Sequence, residues 1–291
     1  MLQILKLISK YIQTPQSLKE APETSLTFLE KETVEKRILE IYKEYQSFMS
    51  VNDMPRYKIH FKKKSVETLE LASVEYEDEI YHLYISDVAY NSINIKGILF
   101  HEFTHIYDRE YLYNKYRFSK DGNLSNIHTH TFTEIHAEQI KFLFMLGLKD
   151  INDIQTNISH NTIVYDMDNK ESEFYDYLKN FNCMLKDFYF KRIKTINKAY
   201  QKTTKDKIGS MVDKLLYYIG ALSVYGKYCD YKIDELKDLT VIQDTWKVSL
   251  NEVIDFYCNN DIYNLKKKDI INTSEIMMCD FVRGAKELQI L

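Results

Sequence analysis

Apolar residues recur along this chain with two different periods, and the change of period marks its organisation. From about Leu29 to Met49 the spacing is helical, with Ile38, Ile41, Tyr42 and Tyr45 on one stripe. The period then drops to two. Tyr57-Lys58-Ile59-His60-Phe61 alternates as a strand does, and Leu69 to Glu77 with Ile80 to Ser86 predicts a hairpin turning at Glu77-Asp78-Glu79. No strong strand signal follows. A helix is predicted from about Ile93 to Tyr111, then a polar loop over Ser119 to His130, then a helix from near Thr131 to a glycine stop at Gly147. From about Glu171 onward the pattern is helical, with aromatic stripes such as Phe174, Tyr177, Leu178 and Phe181, and Ser249 with Glu252 fits a capping box. The expected architecture is α+β: a small antiparallel sheet, a helix packed on it, and a mostly helical half, divided as 1–165 and 166–291.

The chemistry concentrates in the helix predicted after the hairpin. His101-Glu102-Phe103-Thr104-His105 places two imidazoles four residues apart, one turn above the other on one helix face, where both can hold one metal ion. Glu102 between them is placed to take a proton from a metal-activated water. Ile98-Leu99-Phe100 before the motif and Ile106-Tyr107 after it surround the histidines with apolar residues, unlike a solvent-facing helix. The competing explanation is a buried helix whose histidines are satisfied by hydrogen bonds in the core. It would leave Glu102 buried without a metal-site role, which is costly.

A catalytic zinc site takes three protein ligands and leaves a position for water. The extended pattern HExxHxxGxxH needs Gly at 108 and His at 111, whereas the chain has Asp108 and Tyr111. Glu134 and Glu138, four apart on the next predicted helix, are the better candidates, Glu134 ahead as third ligand. Glu138, one turn on, is placed to accept a hydrogen bond from the second nitrogen of a ligand histidine. Thr131 and Glu134 also fit a capping box, which would reduce Glu134 to a helix-start residue. Asp108 is either an acceptor behind a ligand or a surface carboxylate. His60, His82, His136 and His160 read as packed or surface residues, His136 pointing away from Glu134. Zinc is the expected ion from ligand type, although manganese or cobalt suits the same donors.

His101-Glu102-Phe103-Thr104-His105-Ile106-Tyr107-Asp108 with Glu134-Ile135-His136-Ala137-Glu138 resembles the gluzincin metallopeptidases, over Gly97 to Leu143. The pattern is similar to HEFxHxxD with ExxAE of the lethal-factor-like and Pro-Pro endopeptidase group, and to the ExxA of ImmA/IrrE-type peptidases. The resemblance implies a zincin-like domain, His101, His105 and Glu134 as zinc ligands, Glu102 as general base, and a sheet edge as the substrate shelf. Lethal-factor-like enzymes carry an oxyanion-stabilising tyrosine shortly before the third ligand. Ser119 to Thr133 holds none, so His128, His130 or a tyrosine of the helical half would have to serve. ImmA/IrrE-type peptidases favour Asn after ExxA, where this chain has Glu138.

Bulk properties narrow the partners. The net charge is −4, from 39 basic and 43 acidic side chains that are well mixed, and Lys62-Lys63-Lys64 and Lys266-Lys267-Lys268 are short isolated runs, so no nucleic-acid surface is expected. Cys183, Cys229, Cys258 and Cys279 form no CxxC pair and suit a reduced, cytoplasmic protein. Lys6 and Lys10 interrupt the apolar N-terminus, and no apolar run approaches the length of a membrane span. The expected activity is zinc-dependent hydrolysis of a peptide bond, an extended protein or peptide substrate pairing with the edge of the Ile80–Ser86 strand. The alternative is an inactive zincin-like module that binds a partner, with zinc bracing its fold through a fourth protein ligand such as His130.

Overall fold

The computed structural model describes residues 18–64, 71–120, 126–153, 157–165, 170–193, 201–246 and 249–287. The apolar N-terminus with Lys6 and Lys10, the start of the predicted first hairpin strand at Leu69 and the side chain of Cys279 lie outside the described residues. Helix α1 (Phe28–Met49) opens on a reciprocal cap: the Glu30 amide donates to Thr27 Oγ1 at 3.3 Å and the Thr27 amide to Glu30 Oε2 at 2.8 Å. Its buried stripe is Ile38, Ile41, Tyr45 and Phe48.

Strands β1 (Tyr57–Lys62), β2 (Ala72–Glu77) and β3 (Ile80–Ser86) form one sheet in the order β1-β3-β2. Asp78 and Glu79 turn the β2–β3 hairpin with φ of 48° and 64°, the left-handed pair that a two-residue turn matching strand twist requires. The sheet is mixed, a correction to the antiparallel expectation, because β3 inserts between β1 and β2 and runs parallel to β1, with Tyr57 opposite Tyr81 and Phe61 opposite Ile85. Alternation in the sequence fixes which face a residue takes but not which neighbour its strand pairs with. Phe61, Val74, Tyr81, Leu83 and Ile85 are buried on the inner face.

Helix α2 (Asp87–Tyr90) leads into α3 (Ile95–Tyr116), which carries the HExxH motif and runs about a turn beyond the predicted end. Phe100 and Phe103 are fully buried and seat α3 on α1: Phe103 meets Tyr42 edge-on at 5.1 Å and Phe100 meets Tyr45 at 5.3 Å. On the sheet side, Arg109 Nη1 donates to the Val74 carbonyl of β2 at 2.9 Å. Helix α4 (Ile127–Met145) packs against the opposite flank of α3 and is closed by Gly147, whose φ of +84° admits the bond from the Leu148 amide to the Leu143 carbonyl.

A short hairpin, β4 (Ile163–Tyr165) with β5 (Glu171–Glu173), was not predicted; three residues per strand are too few to show a period. The 165/166 division falls in its connection. Helices α5 (Phe174–Ile193), α6 (Gln201–Tyr228), α7 (Ile233–Lys237), α8 (Thr240–Trp246), α9 (Leu250–Asn259) and α10 (Lys267–Glu287) follow. Ser249 does stand at the start of α9, but the first amides of that helix are capped by Gln243 of α8, whose Oε1 accepts from Leu250 at 2.9 Å and Asn251 at 3.3 Å. One continuous cluster of buried residues runs from Ile38 to Met277 through both halves. Cys183, Cys229 and Cys258 are free thiols, and no helix among the described residues is long and apolar enough to cross a membrane.

On the outer sheet face His60 Nε2 lies 2.9 Å from His82 Nδ1, and the His60 ring stacks on Tyr84 at 4.8 Å. Burial, then the neighbouring His82, hold His60 below its ordinary value of 6.5. The unfolded chain therefore binds the proton more readily, and the contribution is present above about pH 6.5 and lost as pH falls through the depressed value. Denaturation midpoints should fall between pH 7.5 and 5, and fall less in His60→Gln.

Candidate metal centre

Helical geometry brings His101 and His105 to the same flank of α3, facing α4, and both are buried, with their Nε2 atoms 3.0 Å apart and their rings nearly perpendicular. Glu134 reaches them from α4, its Oε2 lying 3.5 Å from each Nε2. A tetrahedral ion with bonds of about 2.0–2.1 Å separates its ligand atoms by about 3.3–3.4 Å, so a triangle with edges of 3.0, 3.5 and 3.5 Å is close to one face of such a shell. Among the described residues this is the one group of three or more histidine, cysteine or acidic side chains arranged to hold a metal ion.

Hydrogen bonding points the same way. Glu134 Oε2 is buried without a hydrogen-bond partner, a state that calls for an ion or water to complete it. Burial works against charge on every member. At His101 the carboxylates of Glu134 and Glu138 outweigh it and lift the imidazole to about 10. At His105 burial prevails and the ring is pushed down to about 4. For Glu134 burial is overcome by the two histidines, which hold its carboxyl well below the usual range.

The structure places each predicted residue. His101, His105 and Glu134 come together, and Glu102, also buried, stands between the two histidines in α3. Glu138 Oε2 lies 3.2 Å from His101 Nδ1 and its other oxygen accepts from Lys141 Nζ at 2.8 Å, so Glu138 sits behind the His101 ring and orients it. The capping-box explanation for Glu134 fails, because α4 starts four residues before Thr131, with Asn126 as its cap. Asp108 is neither a surface carboxylate nor a partner of a ligand ring: it is fully buried and bonded to His136 Nδ1 at 2.8 and 2.9 Å. His128 stacks on Phe118, away from the centre.

The helical half reaches the site through α6. His130 Nε2 meets Asp213 Oδ1 at 2.9 Å while its Nδ1 lies 3.6 Å from Glu134 Oε1, and the ring of Tyr217 meets His101 edge-on at 5.5 Å. Gly220 makes this approach possible. A Cβ there would stand 2.6 Å from the Ile135 carbonyl oxygen and 2.8 Å from Glu138 Cβ. Asp213 and Tyr217 belong to no local motif, and the one available signal was a lone glycine inside the apolar stretch Leu215 to Leu222.

The expected substrate edge on Ile80–Ser86 is corrected: β3 is the central strand, paired on both sides. The outer edge of β1 is met by residues 22–24, with Thr24 N to Phe61 O at 3.1 Å and Lys63 N to Pro22 O at 2.8 Å. Hairpin periodicity does not say whether a third strand will flank it.

No family model, curated protein or solved structure matches the chain. The fold and site together define an α+β protein with a buried His-His-Glu group that could bind a metal ion. Glu134→Ala should abolish metal uptake in elemental analysis, while Glu138→Ala should retain it with affinity lowered about 10–100-fold. Gly220→Ala should destabilise the chain by about 1–3 kcal/mol in chemical denaturation, since backbone rather than a flexible side chain blocks the added methyl.

Proposed function

We propose that the chain is a zinc-dependent endopeptidase of gluzincin type and zincin-like fold, in which His101, His105 and Glu134 hold the ion and Glu102 is the general base. The convergence of three buried ligand atoms from two helices, in a motif that also carries a glutamate between the histidines, supports this reading most strongly. Two imidazoles and a carboxylate suit zinc, and three protein ligands with an open position are the catalytic pattern. Structural zinc sites are closed by four protein ligands. His130, the candidate fourth, lies outside the group of donor atoms that converge, which disfavours the partner-binding alternative.

Zinc, when bound, supplies Lewis acidity that lowers the pKa of a water toward about 7 and polarises a carbonyl. Glu102 takes the proton of the attacking water and passes it to the leaving amine. Glu138 fixes the ring of His101 through Nδ1. Burial keeps the Tyr217 hydroxyl protonated, well above its ordinary value. It fills the role that the resemblance gives to a tyrosine before the third ligand, donating a hydrogen bond to the scissile carbonyl oxygen. The substrate is a peptide bond in an extended segment of a protein or peptide.

Glu102→Gln should bind zinc at wild-type stoichiometry and cut peptide libraries at least about 100-fold more slowly than wild type. Turnover that survives the substitution would remove Glu102 as the base.

A further inference from the structure

The polar strip between α3 and α4 does not end at the ligands. His101, His105 and Asp108 follow one another at i, i+4 and i+7, so Asp108 occupies the next position on the stripe that carries both imidazoles. It lies about one turn beyond His105, and its partner His136 lies two residues beyond Glu134. At the far end of the same interface, Glu138 holds His101 Nδ1. Along α3 two bridges to α4 therefore lie seven residues apart, at His101 and Asp108, one touching a ligand ring and one touching none, and on α4 their partners Glu138 and His136 both lie beyond Glu134.

The second bridge is closed to solvent. Asp108 is 0% and His136 1% exposed, and both carboxylate oxygens of Asp108 lie within hydrogen-bond distance of Nδ1. Tyr263 covers the other side, its ring edge-on to that of His136 at 4.8 Å. Around the strip the two helices carry apolar residues, with Ile106, Leu112, Phe132, Ile135 and Ile140 fully buried or nearly so. An apolar interface of two helices tolerates small shifts along and about their axes. A buried acceptor and donor within it are satisfied in one register only, because any slip leaves both unpaired.

We propose that Asp108 and His136 form a positioning pair that fixes the register of α3 against α4, and so assembles His101, His105 and Glu134 at ligand spacing before any ion binds. The proposal rests on the metal-centre reading above. The pair touches neither ion nor substrate. It acts through the ligands by removing the cost of bringing two helices into line when the ion arrives. Glu138 cannot do this alone, since one contact at one end leaves α3 able to pivot about it.

The test uses the full chain and two readouts: zinc affinity by calorimetric titration, and the visible ligand-field spectrum of the cobalt-loaded protein, which reports coordination geometry. Asp108→Leu combined with His136→Leu replaces a buried polar pair by apolar side chains, an exchange that cores often accept without loss of stability. The double variant should keep the wild-type far-ultraviolet circular dichroism, bind zinc at least about tenfold more weakly and give an altered cobalt spectrum. Asp108→Asn, whose amide oxygen can accept the same bond from Nδ1, should restore affinity to within about threefold of wild type and the spectrum with it. A folded double variant with wild-type affinity and spectrum overturns the positioning role and leaves the metal centre standing. A wild type that takes up neither ion overturns the metal centre, and this proposal with it. Should the double variant fail to fold, His136→Asn, which keeps a donor but shortens its reach, is judged by the same two readouts and the same outcomes.

Discussion

Imidazoles and carboxylates buried against one another between two helices are the constraint on which this fold turns. Desolvating a carboxylate is expensive, and Glu134 and Asp108 are tolerated in the interface because each faces histidines. The requirement propagates outward. Keeping α3 in place takes the aromatic packing of Phe100 and Phe103 on α1 and the tie from Arg109 to β2. Keeping α4 in place takes the close fit of α6 at Gly220. Sheet and helical half can be seen as the two sides of a mould around one polar strip.

That strip also explains the electrostatics. Within one cluster burial drives His105 down while paired carboxylates carry His101 up, so neighbouring rings of the same chemistry are biased in opposite directions. The contrast follows from what stands behind each ring. Glu138 backs His101, whereas His105 Nδ1 is buried without a hydrogen-bond partner. At His101 the bonds from Glu134 and Glu138 and the charge of Glu102 act together against burial, whereas at His105 Glu134 is opposed by burial and by the neighbouring His101.

Residues whose partners are close in sequence were legible before the fold was known. The pairing of His101 with His105 follows from helical spacing, and the hairpin turn at Asp78-Glu79 from the break between two alternating runs. Glu134 could be reached because its helix carries its own period. What was not legible depends on partners far away along the chain. Strand order puts β1 beside β3 and removes the edge expected on β3. Asp213 and Tyr217 lie about eighty residues beyond Glu134 and carry no spacing that links them to it. Asp108 is visible in the sequence as a carboxylate on the right face, but its partner is not, since the spacing of His136 within its own helix does not show which residue of α3 it meets.

Gly220 has a further consequence for how the two halves of the sequence depend on each other. Because α6 meets α4 backbone to backbone there, Ile135 and Glu138 carry no side-chain buffer against loss of that contact. A chain cut at residue 165, where the sequence pattern divides, would leave HExxH, Glu134 and Glu138 all present, yet His101 would lose the ring of Tyr217 and His130 the carboxylate of Asp213. Such a fragment would pass any inspection by motif while lacking one wall of the site. For this architecture the smallest unit that can be asked about chemistry is longer than the segment that contains every recognisable chemical residue.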